Sequence, residues 1–148
     1  MALCLSWMLG HAQEYSVTAE GVGNDGMPIV KIVVSTKKNV TKSAEDLVKR
    51  YAVHGIIFRG LMASGSSGAQ SPLVKDPNVE DTKADFFNAF WSEGKYKNYA
   101  TIVGSSLAVM KNKQTKLTET SALVKVNREA LQHYLEESGI VKGFSNLW

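Results

Sequence analysis

Two segments near the start of the chain have the patterns of β-strands, and a turn sequence separates them. Residues 14–22 alternate apolar with polar side chains, and residues 28–36 are rich in isoleucine and valine. Alternation with a period of two places the apolar side chains on one face of a strand. Residues 23–26 read Gly-Asn-Asp-Gly, and these residue types tolerate the positive φ values of tight hairpin turns. The sequence therefore predicts a β-hairpin over residues 14–36.

A second pair of strands is predicted closer to the C-terminus. Residues 100–110 and 119–126 are joined by a short polar segment rich in lysine. In the later strand, the alternation predicts that Ala122, Val124 and Val126 share one face. Two hairpins favour a mostly antiparallel sheet.

Three helices are predicted, each from a capping or acidic residue to a glycine, over residues 43–60, 76–94 and 127–139. Gly55 lies inside the first helix, where glycine costs about 1 kcal/mol relative to alanine. We therefore expect another part of the backbone to pass close to Gly55.

Together these elements predict an α+β domain. We expect a mostly antiparallel sheet of about four strands, in two hairpins, with about three helices packed on one face. A chain of 148 residues that is 44% hydrophobic is long enough for one domain with a core, and too short for two. Residues 13–148 are assigned to this single domain. Within it, the glycine- and serine-rich residues 63–75 are predicted to form a flexible loop.

The first twelve residues have the pattern of an export signal. Residues 1–9 form an apolar stretch without a charge, and small residues occupy positions 10 and 12. This pattern is typical of a secretory signal cleaved after Ala12, although the positively charged leader of such signals is missing. We expect residues 1–12 to be the remnant of a signal peptide, and the protein to be periplasmic or secreted. The alternative is a buried strand or helix of a cytosolic protein.

Charge and cysteine content exclude several classes of function. The formal net charge is +3, and lysines and arginines are scattered along the chain. Nucleic-acid-binding domains usually carry a concentrated basic stripe, so no nucleic-acid partner is expected. No apolar run is long enough for a transmembrane segment. Cys4 is the only cysteine, and its removal with the signal would exclude disulfides and thiol chemistry.

Aromatic side chains are concentrated in residues 86–99. The phenylalanines fall on one face of a predicted helix and are expected in the core. The later aromatic residues lie at the helix end and in the connection that follows. There they could form a stacking platform for sugars or bases, or a partner-binding patch. The candidate binding surface consists of Trp91, Tyr96, Tyr99, Ser66 and Ser67.

No catalytic or cofactor motif fits the sequence. Residues 60–67 resemble a phosphate-binding loop, but they lack its lysine and follow a helix. The serines of the same segment lack the spacing of a nucleophile elbow. His54 and His133 lie on predicted helices without the spacing of a metal site. His54 is on the apolar side of its helix, where a packed residue with one nitrogen satisfied is expected. We therefore predict no catalytic residue, no metal and no cofactor, and keep the two histidines as weak candidates.

Several segments resemble a set of uncharacterised exported proteins of the Bacteroidetes. These segments are RYAVHGIIFRG at 50–60, PLV at 72–74, DFFNAFWSEGKY at 85–96 and the stretch 124–139. The resemblance covers most of the chain after residue 12 and implies a location in the cell envelope. It implies no activity and no functional residues.

These observations favour a non-enzymatic binding or assembly module of the envelope, with an unknown protein, small molecule or glycan as its partner. The alternative is a hydrolase or a metal-dependent enzyme that uses His54 or His133 with nearby carboxylates. The two hypotheses differ in one structural requirement. The enzyme needs one of these histidines in a cleft, within hydrogen-bond distance of an acid or a serine.

Overall fold

The computed structural model describes residues 15–37, 43–61, 69–76 and 78–141. These ranges form an α+β domain, as predicted, with five strands and four α-helices. In chain order the elements are β1 (Tyr15–Val22), β2 (Pro28–Thr36), α1 (Ala44–His54), a π-turn (Gly55–Arg59), α2 (Val79–Thr82), α3 (Ala84–Ser92), a 3-10 turn (Lys95–Tyr99), β3 (Ala100–Ile102), β4 (Ala108–Lys111), β5 (Thr118–Val126) and α4 (Arg128–Glu137).

The strands form one antiparallel sheet in the order β1-β2-β5-β3, and β4 also pairs with β5. β1 and β2 form the predicted first hairpin, with Val17 opposite Ile32. β4 and β5 form the second hairpin. The two hairpins meet where β2 pairs with β5, with Ile32 opposite Ala122. The sheet has five strands rather than four because the strand predicted over residues 100–110 is divided in two.

The division of that strand is bridged by a serine side chain. β3 ends at Ile102 and β4 begins at Ala108, and the regular pairing with β5 is interrupted between them. The Ser106 hydroxyl accepts a hydrogen bond from Leu123 N at 3.0 Å and donates one to Leu123 O at 3.2 Å. The Ser106 side chain thus makes hydrogen bonds to β5 that the backbone of a continuous strand would otherwise make. The segment between β3 and β4 therefore stays attached to β5.

The helices lie against one face of the sheet, as predicted. The strand side chains that face them are buried: Val17, Ala19, Val30, Ile32, Val34, Ala122, Val124 and Val126. From the helices, the core receives Val48, Ala52, Ile56, Phe87, Phe90, Leu131 and Leu135. On the opposite face, which includes Lys31 and Leu123, no side chain of the described strands is buried.

Gly55 allows α1 to approach β1. Its backbone is helical, with φ −62°, so its conformation does not require glycine. A Cβ atom at this position would lie 2.4 Å from Cγ2 of Val17. The expected close approach is therefore present, but a side chain rather than another backbone occupies the space.

The π-turn at the end of α1 makes two carbonyl groups available to another segment. Gly60 N donates to Gly55 O at 2.7 Å, which is the wider hydrogen bond of a π-helix. The carbonyls of the two residues after Gly55 accept hydrogen bonds from the N–H groups of Leu73 at 3.2 Å and Val74 at 3.0 Å. The chain that follows the predicted loop is thereby attached to the helix end.

Residues 63–68 of the predicted flexible loop lie outside the described residues. On either side of them, Leu61 and Gln70 exchange two backbone hydrogen bonds of 2.8 and 3.0 Å. Gly60 has φ +73°, and a Cβ atom there would lie 2.3 Å from Gln70 O. Only glycine combines this backbone conformation with so close a contact.

The helix predicted over residues 76–94 is two helices, α2 and α3. Lys83 separates them with φ −115° and ψ 39°, outside the helical region. Val79 of α2 and Phe87 of α3 are both buried. The prediction of one helix was wrong, because the backbone leaves the helical conformation at Lys83. Both helices nevertheless contribute a side chain to the core.

The helix α4 begins and ends as predicted. The Asn127 side chain accepts a hydrogen bond from Ala130 N at 3.0 Å and so caps the helix. Gly139, with φ +76°, follows its end.

Residues 1–12, for which a signal peptide is predicted, lie outside the described ranges. Among the helices that are described, none has the length and apolar character needed to cross a membrane.

Candidate functional site

His54 lies at the end of α1 and contacts residues from two other elements. The Tyr15 hydroxyl, at the start of β1, lies 2.5 Å from His54 Nδ1. Glu80 Oε1, in α2, lies 3.3 Å from His54 Nε2. The side chains of His54 and Glu80 are 23% and 31% exposed. We call these three side chains the His54 network.

The protonation state of Tyr15 determines the direction of these hydrogen bonds. Burial raises the pKa of the Tyr15 hydroxyl well above its ordinary value, although the nearby Arg59 opposes this shift. The phenol therefore keeps its proton, which lets its O–H donate a hydrogen bond to His54 Nδ1. The ring hydrogen is then on Nε2, which donates to Glu80. Both ring nitrogens of His54 are thus occupied.

Aromatic and basic side chains surround the network. The His54 ring lies between Phe58 and Trp91, with ring centroids 4.7 and 5.8 Å away. Arg59 lies 3.7 Å from the centroid of the Tyr15 ring and donates to Tyr15 O at 3.0 Å. These contacts fix the start of β1 against the end of α1.

The network meets part of what an enzyme would require. His54 is within hydrogen-bond distance of an acid, and the chain of Tyr15, His54 and Glu80 could transfer a proton. No hydroxyl of a serine contacts His54 among the residues that the structure describes. Within the same ranges, no group of three or more histidine, cysteine or acidic side chains could hold a metal ion.

The structure places the three aromatic candidates in one continuous aromatic cluster. Trp91 joins this cluster to His54, and its ring centroid lies 5.8 Å from that of Tyr96. Tyr96 is only 7% exposed, so its ring is not available at the surface. Tyr99 is half-buried, and its ring centroid lies 5.9 Å from that of Tyr134 in α4. Burial raises the pKa of the Tyr96 and Tyr99 hydroxyls.

The remaining candidates are not brought to this cluster. Ser66 and Ser67 lie outside the described residues. His133 is on the exposed side of α4, where its side chain is 71% exposed and Nε2 lies 3.0 Å from Glu137 Oε1. The two histidines therefore lie in separate sites, and each has its own acidic neighbour.

A second candidate site is an open cleft of about 700 Å³ beside the start of α4. Its walls are the turn between β1 and β2, the segment at Gln70 and the first turns of α4. It is lined by Asp25, Gly26, Met27, Pro28, Gln70, Asn127, Arg128, Glu129, Ala130, Gln132 and His133. We call this site the α4 cleft.

Two local features that border the α4 cleft were predicted from the sequence, but their meeting in one site was not. The turn at 23–26 and the cap at Asn127 were both recognised as local structure. They meet because β5, which leads into α4, pairs with β2, which begins at the turn. The partners of His54 were missed for the same reason, since Tyr15 and Glu80 are 39 and 26 residues away in the chain.

Comparisons of the chain with protein-family models, with curated proteins and with solved structures found no match. Function is therefore inferred from the geometry of the chain itself.

Proposed function

We propose that this protein is a non-enzymatic binding or assembly module that acts in the periplasm or outside the cell. The apolar residues 1–9 and the small residues before Gln13 support export, because signal peptidases cleave after such a pattern. The described domain supports a binding role, because it offers an accessible cleft and an uncovered sheet face.

One observation carries the choice of binding over catalysis. The acid–base groups that could do chemistry are bonded to one another, since both nitrogens of His54 are occupied by Tyr15 and Glu80. A paired polar group stabilises the fold, and a substrate would have to displace Tyr15 or Glu80 to reach a nitrogen of His54. In the α4 cleft, by contrast, polar side chains remain accessible to a ligand.

Export is tested by expressing the full chain in a Gram-negative host and measuring intact mass in each cell fraction. We expect a soluble periplasmic product whose mass lacks residues 1–12. The matched control is Ala12→Leu, because a large side chain before the cut prevents cleavage. An uncleaved wild-type chain in the cytosol would refute the proposed location.

A second candidate function is an enzyme that uses His54 with Glu80. The observation that favours it is the hydrogen-bonded series of Tyr15, His54 and Glu80, which resembles the arrangement of a general base and its orienting acid. The test is hydrolysis of ester, peptide and glycoside substrates by the wild-type protein and by His54→Gln. Turnover that disappears in a folded His54→Gln protein would establish the enzyme and overturn the binding proposal.

A further inference from the structure

We propose that the α4 cleft binds a short neutral oligosaccharide. This inference rests on the proposed binding function and names its class of ligand. A volume of about 700 Å³ is within the range of small-ligand sites. The cleft is open to solvent, so a chain of sugars could enter it and extend beyond it.

The lining of the cleft is rich in planar polar side chains. Amides, carboxylates, a guanidinium and an imidazole lie side by side, and together they offer both donors and acceptors. Adjacent hydroxyl groups of a sugar require this mixture, because each hydroxyl both donates and accepts. The side chains of Gln70 and Glu129 make no hydrogen bond or ion pair within the described part of the chain. Their polar atoms are therefore available to a ligand.

Several of these side chains are held in place from outside the cleft. Lys125 Nζ donates a hydrogen bond to Asp25 Oδ2 at 3.0 Å. This hydrogen bond is the main cause of the lowered pKa of the Asp25 carboxyl. Arg128 donates to Ser71 O at 3.3 Å. On α4, Gln132 is bonded to Glu136, and His133 lies beside Glu137.

None of those outer partners lines the cleft. Asp25, Arg128, Gln132 and His133 therefore keep donor or acceptor atoms beyond those that their outer partners use, while their orientation is restricted. Such preorganisation reduces the entropy that binding would otherwise cost.

The charges of the cleft favour a neutral ligand. The carboxylates of Asp25 and Glu129 oppose the guanidinium of Arg128, so no single sign dominates. At the N-terminus of α4, the Asn127 side chain already bonds to Ala130 N, so one of the N–H groups that could hold an anion is occupied. A phosphate would meet two carboxylates, and a cation would meet a guanidinium.

An apolar part of the lining completes the match to a sugar. Met27, Pro28 and Ala130 are half-buried beside the polar groups. The C–H face of a sugar ring can pack against such a surface while its hydroxyls bond to the polar side chains. A ligand without an apolar face would leave this part of the cleft solvated.

The proposal is tested by calorimetric titration of the full chain with neutral tetrasaccharides of glucose, mannose, xylose and N-acetylglucosamine. Glucose 6-phosphate and spermidine serve as the charged comparison compounds. We expect at least one tetrasaccharide to bind with a Kd between about 10 μM and 1 mM, and to bind more tightly than either charged compound.

Two pairs of variants locate the site. Gln70→Ala and Glu129→Gln are expected to weaken binding by about tenfold or more. Their matched controls are Gln114→Ala in the β4–β5 turn and Glu119→Gln on the uncovered sheet face. Both control residues are exposed, and both lie outside the cleft lining. The controls are expected to bind as the wild type does.

Three results would overturn the inference: no heat with any tetrasaccharide at about 10 mM, tighter binding of a charged compound, or equal affinity in cleft and control variants. Failure of this kind with a correctly exported protein would leave the binding function in place with another ligand. Cleavage of the sugar by wild type, and not by His54→Gln, would overturn the proposed function itself.

Discussion

The His54 network and the α4 cleft are built from the same kinds of side chain and use them differently. His54 is 23% exposed and has both nitrogens occupied by residues of other elements. His133 is 71% exposed and lies beside a glutamate one turn along its own helix. The first arrangement joins three segments of the chain, whereas the second joins none. The two residues are both histidines, so their partners make the difference. His54 bonds to other elements and stabilises the fold, whereas His133 remains available to a ligand.

This difference follows from burial. A polar group removed from water costs free energy unless it is paired within the protein. Tyr15, His54 and Glu80 meet that requirement with one another. In the cleft, Gln70 and Glu129 are exposed, so water satisfies them until a ligand replaces it. Substitutions in the two regions are therefore expected to affect different quantities.

The largest expected effect comes from moving α1 away from β1, which would separate His54 from Tyr15. In Gly55→Ala the new methyl group would overlap Cγ2 of Val17. We expect a loss of about 2 kcal/mol in the free energy of unfolding, measured by urea denaturation. In a Val17→Ala background the same substitution should cost less than about 0.5 kcal/mol, because Cγ2 is gone and only the Cβ atom of residue 17, at 3.2 Å, remains close. An equal cost in both backgrounds would contradict the proposed contact.

The two histidines allow the comparison to be made with one identical substitution. His54→Gln removes an imidazole that bonds to both Tyr15 and Glu80, and we expect a loss of about 2 kcal/mol in unfolding free energy. His133→Gln removes only an exposed pair with Glu137 and should cost less than about 0.5 kcal/mol. Thermal and urea unfolding of both variants check this. Equal losses would mean that the His54 network does not stabilise the fold.

High pH should weaken the region around His54 through Tyr15. The raised pKa of Tyr15 means that the folded state keeps the phenolic proton after the unfolded chain has lost it. Stability is therefore fully present below about pH 10 and falls as the pH rises further, by up to about 1.4 kcal/mol per pH unit for one group. Tyr15→Phe should show a shallower fall in urea denaturation between about pH 9 and 11. Identical slopes would exclude a contribution from Tyr15.

The smallest effects on stability are expected in the α4 cleft. Gln70→Ala removes an amide and Glu129→Gln neutralises a carboxylate, and neither wild-type side chain makes a hydrogen bond within the described ranges. The free energy of unfolding should change by less than about 0.5 kcal/mol in each. A larger loss in urea denaturation would show that these side chains support the fold, and would remove the contrast between the two regions.

Local patterns predicted most of the fold. The alternation in β1 and β5, the turn at residues 23–26 and the cap at Asn127 each depend on residues close in sequence, and each is present. The division between β3 and β4 was not predicted, because apolar alternation does not reveal that Ser106 replaces backbone contacts with its hydroxyl.

The candidate site was harder to predict than the fold. His54 was expected to be a packed residue with one nitrogen satisfied, and both are satisfied. Its partners come from β1 and α2, and no spacing rule connects those positions to α1. The burial of Tyr96 was likewise hidden, because the composition of residues 86–99 does not show which ring turns toward the core.

The serine that bridges β3 and β4 also limits the length of regular backbone at this edge of the sheet. A long regular edge strand can recruit the edge of another molecule, and such growth leads to fibrils. Here the outer row beside β5 consists of two pieces, of three and four residues, separated by a side-chain bridge. Neither piece offers an incoming chain a long run of backbone donors and acceptors. Ser106 therefore keeps this edge attached to the sheet while its regular backbone stays in two short runs.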